Sequence, residues 1–264
     1  MYVIAIKNRQ SEFAAMKILQ EKSLLRDDMI PLVEVIQEKF TYDNKIDPFT
    51  GETVREEKVC KGGKIIHRAV KDLSSPHDVT LEKIARLFPN RPVLVDYFRC
   101  DLSRYRYKPD KIPLVIQLNR DLGLYKTKVL GIAAYPNLIP IITVKRGIDA
   151  LKPDEVLALA GQLRVDNPAQ RIAIRIDDLE GYESAVKQVL RADDFLLYDF
   201  NEQPIRSKPI ECMQLRRLNL PAHLIALCSP RARNSLARIS PTETMPTSST
   251  IATSTPLQTM VLTV

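Results

Sequence analysis

The chain has 264 residues, of which 45% are hydrophobic and 27% are charged. This composition supplies enough apolar material for a substantial core, which excludes global disorder. The formal net charge of +7 is compatible with an acidic partner such as nucleic acid. Basic and acidic residues are interspersed along the chain, however, which favours an ordinary solvated surface.

Four cysteines and three histidines show no metal-binding spacing, so the sequence predicts reduced thiols in a cytoplasmic protein. The start MYVIAIKNRQ is typical of a strand followed by polar residues, and it lacks the long apolar core of a signal peptide. The longest apolar stretch, VLGIAAYPNLIPIITV, is interrupted by prolines and is too short to span a bilayer. We therefore expect a soluble, non-secreted protein without a membrane segment.

Short apolar, β-branched runs alternate with amphipathic segments along the chain. Strands are predicted at 2–6, 29–36, 93–98, 138–144, 171–177, 194–200 and 222–228. Helices are predicted at 11–25, 78–88, 121–135, 152–164, 180–191 and 210–219. Nearly continuous apolar strands that alternate with helices are typical of a parallel sheet covered by helices.

Two architectures fit this alternation, namely an open doubly wound sheet and a (β/α)8 TIM-barrel-like fold. No GxGxxG motif follows any strand, so the dinucleotide-binding form of the open sheet has no support. Seven predicted strands of similar length favour a barrel that is one strand short at its C-terminus. The prediction is an incomplete (β/α)8 barrel over 1–228 and a Ser/Thr/Pro-rich tail, disordered or frameshifted, over 229–264.

Two polar segments interrupt the alternation of strands and helices. Residues 37–67 contain the turn DPFTGET between two polar arms, which predicts a β-hairpin inserted after the second strand. Such a hairpin would suit a scaffold that docks a partner protein encoded nearby. Residues 99–120 contain SRYRYK, in which Arg104, Tyr105 and Arg106 interleave cations with an aromatic ring. That combination suits nucleic-acid binding as well as ordinary loop packing.

Ionisable residues lie at or near the carboxyl end of six predicted strands. They are Lys7, Glu34, Asp96, Lys145, Asp177 and Asp199. In a β/α barrel this end carries the functional residues, and unpaired charges are costly to bury there. Two interpretations stay open: a polar ligand pocket, or a ring of salt bridges that helps to close the barrel.

The pocket interpretation gives these charged residues distinct roles. Lys7 and Lys145, with Arg9 just beyond the first strand, would bind an anion. The acidic residues are candidate catalytic groups that could share a proton, and they are Glu34, Asp96, Asp177 and Asp199. Three of them are candidate ligands of Mg²⁺, although the sequence identifies no cofactor, and they are Asp96, Asp177 and Asp199. This arrangement would suit a metal-dependent hydrolase or phosphodiesterase.

Several segments of the sequence resemble sequences of the beta-protein family, which is named after a protein of T-even bacteriophages. The runs MYVIAIKNRQSEFAAMKIL and MIPLVEVI resemble the tyrosine-led first strand, the first helix and the second strand of that family. RPVLVDYF resembles its third strand, LIPIITV its fourth and RIAIRIDDLE its fifth. The residues that carry the resemblance are Tyr2, Lys7, Glu12, Pro31, Leu32, Glu34 and Asp96.

The resemblance covers roughly residues 1–228 and implies a barrel-like β/α fold. It also implies a phage or mobile-element setting, with a role in phage–host conflict as an association, and it carries no established reaction. Family members usually continue beyond the length of this chain. The closing SPTETMPTSSTIATSTPLQTMVLTV therefore favours a frameshift near 235–240, which the nucleotide sequence would test.

Overall fold

The computed structural model describes residues 2–60, 63–102, 109–201, 203 and 205–228. The strands in chain order are β1 (Tyr2–Lys7), β2 (Met29–Val35), β3 (Phe40–Asn44), β4 (Arg55–Val59), β5 (Ile65–Ala69), β6 (Lys71–Asp78), β7 (Val93–Tyr97), β8 (Leu138–Val144), β9 (Ala173–Ile176), β10 (Phe195–Asp199) and β11 (His223–Leu227). The α-helices are α1 (Gln10–Glu21), α2 (Thr80–Leu87), α3 (Pro113–Arg120), α4 (Leu122–Ile132), α5 (Pro153–Leu163), α6 (Glu183–Val189) and α7 (Pro209–Arg217).

The main sheet has seven strands in the order β1-β2-β7-β8-β9-β10-β11, and all neighbours are parallel. Helical structure lies between consecutive strands of this sheet along the chain, and the strands β3 to β6 also lie between β2 and helix α2. This order confirms the predicted strands, because it places consecutive β/α units side by side. Among the described residues, β1 and β11 each pair on one side only.

The sheet curves into a nearly closed, barrel-like shape. The guanidinium of Arg175 on β9 lies 2.8 Å from the carboxylate of Glu34 on β2, although β7 and β8 separate these strands in the sheet. Neighbouring strands are about 4.8 Å apart, so a flat sheet would hold these two residues about 14 Å apart. The contact therefore requires both side chains to point to the concave side of a strongly curved sheet.

Alternate strand residues separate the inside of the barrel from its outside. The inner face is a buried cluster to which every strand of the main sheet contributes: Val3, Ile30, Leu32, Leu94, Ile139, Ile141, Ala173, Phe195, Leu197, Ile225 and Leu227. The residues between them, such as Val33, Val95, Ile142, Ile174 and Leu196, pack against the helices in a larger cluster. Burial on both faces explains why the sequence shows continuous apolar runs.

The segment from Phe40 to Asp78 forms an antiparallel arm apart from the main sheet. The sequence predicts one hairpin over 37–67, whereas the structure has two pairs, β3 with β6 and β4 with β5. Most arm residues are exposed. Pro76 lies in β6 opposite Tyr42, and a strand with a free edge tolerates a proline that lacks an N–H.

Two helical segments differ from the sequence-based predictions. Helix α1 ends at Glu21 rather than near residue 25, because Ser23 adopts a left-handed backbone with φ of 54°. Helix α3 lies in the polar stretch 99–120, for which no helix was predicted. It begins with Pro113 in its first turn and buries Leu114, Val115 and Leu118.

Candidate functional site

Five of the six predicted strand-end residues meet at the carboxyl end of the barrel. They surround Arg175, a residue that the sequence analysis did not select. We call this group the ion cluster, and its members are Lys7, Glu34, Asp96, Lys145, Arg175 and Asp199. The sixth predicted residue, Asp177, lies beside the cluster without an ion pair to it among the described residues.

Arg175 is the centre of the ion cluster and reaches three carboxylates at once. Its Nη1 donates to Glu34 Oε1 at 2.8 Å and to Asp96 Oδ2 at 2.6 Å. Its Nε and Nη2 donate to Asp199 Oδ2 at 2.9 and 2.7 Å. The planar guanidinium thereby fixes side chains of three different strands relative to one another.

Two lysines complete the ion cluster around one aromatic ring. Lys7 Nζ lies 3.0 Å from Glu34 Oε2, and Lys145 Nζ lies 2.7 Å from Asp199 Oδ2. The ring of Phe98, which follows β7, has Lys7 Nζ 5.7 Å, Lys145 Nζ 5.4 Å and Arg175 Cζ 5.6 Å from its centroid. The ring face attracts the cations electrostatically.

The ion cluster is balanced in charge and nearly sealed from solvent. It contains three cations and three carboxylates, and the Asp96 side chain is 0% exposed. Lys7 is the most exposed member, with 24% of its side chain accessible. Each buried charge loses hydration, so the geometry is favourable only because every member has an opposite charge within ion-pair distance.

The carboxylates of the ion cluster differ in the direction of their pKa shifts. Burial opposes ionisation of Asp199, but Lys145 and Arg175 outweigh it and hold its pKa well below the usual range. Burial of Glu34 is likewise outweighed by the nearby cations, Arg175 first, so its pKa is lowered. For Asp96 burial prevails over the attraction of Arg175, and its pKa is raised. Perturbed carboxylates in a barrel mouth are typical of functional sites.

Further buried polar groups support Asp96 beside the ion cluster. Thr143 Oγ1 donates to Asp96 Oδ1 at 2.6 Å, and the Thr143 N–H donates to the Tyr125 hydroxyl at 2.7 Å. Arg99 lies over the Tyr125 ring at 4.8 Å and donates to the Asp149 carbonyl at 2.5 Å. These contacts join α4 and the loop after β8 to the back of the ion cluster.

An open cavity of about 780 Å³ lies beside the ion cluster. Its walls come from the loop after β8, the ends of β9 and β10, the loop after β10 and helix α7. The lining residues are Arg146, Asp177, Asp178, Tyr198, Asp199, Phe200, Asn201, Gln203, Lys208, Ile210, Glu211 and Gln214. We call this space the mouth cavity, and its size is typical of small-molecule sites. Asp199 belongs both to its wall and to the ion cluster.

Asp177 faces the mouth cavity and is held by neutral donors. Its Oδ1 accepts the N–H of Arg146 at 3.0 Å, and its Oδ2 accepts Asn201 Nδ2 at 3.4 Å. Asn201 has a left-handed backbone with φ of 56°, and its N–H donates to Asp199 Oδ1 at 2.8 Å. Asn201 thus connects the partly buried carboxylate of Asp177 to the buried carboxylate of Asp199.

The candidate metal ligands are not brought together as a trio. Asp96 and Asp199 both point at Arg175, which occupies the space between them, while Asp177 binds Arg146 and Asn201. Within the described ranges, no group of three or more His, Cys, Asp or Glu side chains is placed to hold a metal ion. The geometry therefore gives no support to a Mg²⁺ site made of these three residues.

Two other predicted binding features lie apart from the ion cluster. Arg9 precedes α1 and has an exposed side chain. Residues Arg104, Tyr105 and Arg106 lie outside the described residues, so the nucleic-acid interpretation stays a prediction.

Arg175 is the residue that sequence reasoning missed. Its signal is visible in the strand RIAIRID, where a charged residue interrupts an apolar run two positions before Asp177. Residues two apart in a strand share a face, so this spacing indicates that Arg175 and Asp177 lie on one side of the sheet. Because Arg175 lies inside the strand rather than at its end, a search restricted to strand ends passes over it.

Comparisons with protein-family models, with curated protein sequences and with solved structures returned no match. The fold and the ion cluster therefore define the class of the protein, a mixed α/β chain with a nearly closed parallel barrel-like sheet. Among the described residues, no helix has the length and apolar character needed to cross a bilayer.

Proposed function

We propose that the chain is a binding protein whose mouth cavity takes up a small polar ligand at the carboxyl end of the barrel. The observation that carries this proposal is the double role of Asp199. One oxygen of its carboxylate is held by Arg175 and Lys145, while the residue itself forms part of the cavity wall. A fixed polar wall beside an open space is the arrangement that ligand sites require.

The cost of burying six charges supports a ligand-binding role. Replacing a buried ion network by apolar residues is often neutral or stabilising, so stability alone does not call for this arrangement. A rigid network does hold the walls of a binding site in one geometry. Its position agrees with the general rule that β/α barrels bind ligands at the carboxyl ends of their strands.

We also propose that the chain is an incomplete (β/α)8 barrel of the beta-protein family that acts in the cytoplasm in a phage or mobile-element setting. The support is the sequence resemblance, whose residues include Lys7, Glu34 and Asp96 of the ion cluster. Reading the encoding nucleotide sequence and the neighbouring genes tests the family setting and the frameshift. Neighbours without phage or mobile-element character would contradict the setting.

The binding proposal is tested by a thermal-shift screen of small polar compounds against three proteins. The cavity variant Gln214→Trp places a large ring on an exposed lining position of α7, and Gln188→Trp makes the same change on α6, away from the cavity. Compounds that raise the melting temperature of the wild type should lose their effect in Gln214→Trp and keep it in Gln188→Trp. Hits that Gln214→Trp leaves unchanged, or a screen without hits, would count against the proposal.

A further inference from the structure

We infer that the ligand of the mouth cavity is a cation, a small amine or guanidinium compound that pairs with Asp177 and lies against Tyr198. This inference rests on the binding function proposed above and names the class of compound that the same site takes. It follows from which lining charges are already paired, from the aromatic wall, and from the apolar rim.

Most charges on the cavity wall are already neutralised by neighbours. The Arg146 guanidinium pairs with Asp178 and lies 3.6 Å from Glu180. Lys208 Nζ pairs with Glu211 at 2.6 Å, and Asp199 belongs to the ion cluster. Both cations among the described lining residues are thus paired within the protein, so the described part of the wall offers no uncommitted cation to an anionic ligand.

Asp177 is the carboxylate of the wall that has no ion pair within the described part of the chain. Its two hydrogen bonds come from a backbone N–H and an amide, at 3.0 and 3.4 Å. A carboxylate has about four lone-pair sites, so two bonds leave acceptor capacity free. Asp177 therefore borders the cavity without an ion-pair partner among the described residues, and an ammonium or guanidinium group would provide one.

Tyr198 supplies an aromatic wall for the same cation. Tyr198 is one of the lining residues, and its ring makes an edge-to-face contact with Phe200, with the ring centroids 4.8 Å apart. Burial, followed by the nearby charges of Glu211 and Asp177, raises the pKa of Tyr198, so the phenol stays protonated. A rigid neutral ring beside a carboxylate is the pair of features by which proteins recognise organic cations.

The rim of the cavity adds an apolar contact. Ile210 lines the opening on α7 and is 68% exposed. A cation that carries a short aliphatic chain could cover this side chain while its charged end meets Asp177. Agmatine, which has a guanidinium, a four-carbon chain and an amine, therefore serves as the probe.

The test measures binding of agmatine to the whole chain by calorimetry, with glucose and acetate as neutral and anionic comparators. We expect agmatine to bind the wild type and to bind Asp177→Asn at least roughly tenfold more weakly, because a charge-assisted contact is lost. The matched control is Asp166→Asn, which changes an exposed carboxylate that follows the C-terminus of helix α5 and does not line the cavity. This variant should bind agmatine as the wild type does. Circular dichroism checks that both variants are folded.

A second variant keeps the inference testable if Asp177→Asn does not fold. Tyr198→Leu should weaken agmatine binding, while Tyr198→Phe should retain it, because the inferred contact of the cation is with the aromatic ring and does not use the hydroxyl. If glucose or acetate binds in a way that Gln214→Trp abolishes and agmatine does not bind, the cationic ligand is wrong but the binding function stands. If no compound of any class binds in the cavity, both fail.

Discussion

Arg175 holds the ion cluster together, since one guanidinium contacts Glu34, Asp96 and Asp199. Lys7 pairs with Glu34, and Lys145 pairs with Asp199. Removal of either lysine leaves Arg175 to bind all three carboxylates, whereas removal of Arg175 leaves Asp96 without an ion pair among the described residues. The members of the ion cluster therefore contribute unequally, and the stability of the cluster depends most on Arg175 at its centre.

Arg175→Met should lower the free energy of unfolding at neutral pH by about 3–5 kcal/mol, because it leaves buried carboxylates uncompensated. Urea unfolding at pH 7 measures this loss. Arg120→Met, at an exposed position at the end of α3, is the control and should change stability by less than about 0.5 kcal/mol. A loss below about 1 kcal/mol for Arg175→Met would contradict a central role.

The pKa shifts of Glu34 and Asp199 predict how the stability difference between the wild type and Arg175→Met changes with pH. Glu34 and Asp199 have lowered pKa values in the folded wild type. Their contribution to the free energy of unfolding is therefore present above about pH 4 and is lost as the pH falls through their pKa values in the folded state. Without Arg175 these carboxylates take up protons more readily in the fold, which relieves their repulsion. The stability gap between wild type and Arg175→Met should therefore narrow in acid, and a constant gap would contradict this account.

Among the secondary-structure elements, the strands of the barrel and those of the arm differ in burial and in pairing. The central barrel strands β7 and β8 are buried on both faces, while the arm strands pair with each other, β3 with β6 and β4 with β5. The arm joins the barrel at its base, where Lys128 on α4 contacts Glu38 and Asp78. The ends of the arm are close together, because Phe40 and Asp78 are direct partners across β3 and β6.

Replacement of residues 41–77 by a short glycine linker should leave a folded barrel with one cooperative unfolding transition. The arm contributes few buried side chains, so we expect a loss of about 1 kcal/mol, or roughly 2–4 °C in melting temperature for a domain of this size. Differential scanning calorimetry measures it. The control linker variant leaves β3 and β6 in place and removes only 55–69. Aggregation of the first variant alone would show that the arm is needed for folding.

Helix α3 has a helical sequence pattern, but this pattern lies within a polar stretch of the chain. The run PLVIQLNR has proline in the first turn and three residues that become buried, which is a helical pattern of eight residues. It lies in a stretch rich in charge, so the polar composition of 99–120 outweighed the pattern. Helices α4 and α5, which are longer, were predicted close to their observed bounds.

At the scale of the molecule, sheet curvature decides which chemistry the charges can perform. Carboxylates from β7 and β10 approach each other across the mouth, and the space between them contains a guanidinium rather than a vacant site. The protein thus uses its inner carboxylates as partners of Arg175. The carboxylate that remains directed at the open cavity is Asp177.

Millimolar Mg²⁺ or Mn²⁺ should therefore leave the melting temperature of the metal-stripped protein unchanged. The physical reason is that Arg175 already neutralises Asp96 and Asp199, and Asp177 alone is a weak ligand. Thermal unfolding with and without the ions measures this. Asp96→Asn serves as the comparison: a rise in the wild type that this variant abolishes would establish the metal site and revive the hydrolase hypothesis.

The sequence by itself determined the alternation of strands and helices, the parallel sheet and the end of the barrel at which charge collects. These features depend on the spacing of apolar residues within single segments, such as the strand at 138–144 and the helix at 153–163. Only the tertiary structure decided that Arg175 is the central partner, that Asp199 is buried and that Asp177 faces the cavity. Glu34 and Arg175 are 141 positions apart. Their meeting depends on strand register and on the closing curvature of the sheet, which no local pattern contains.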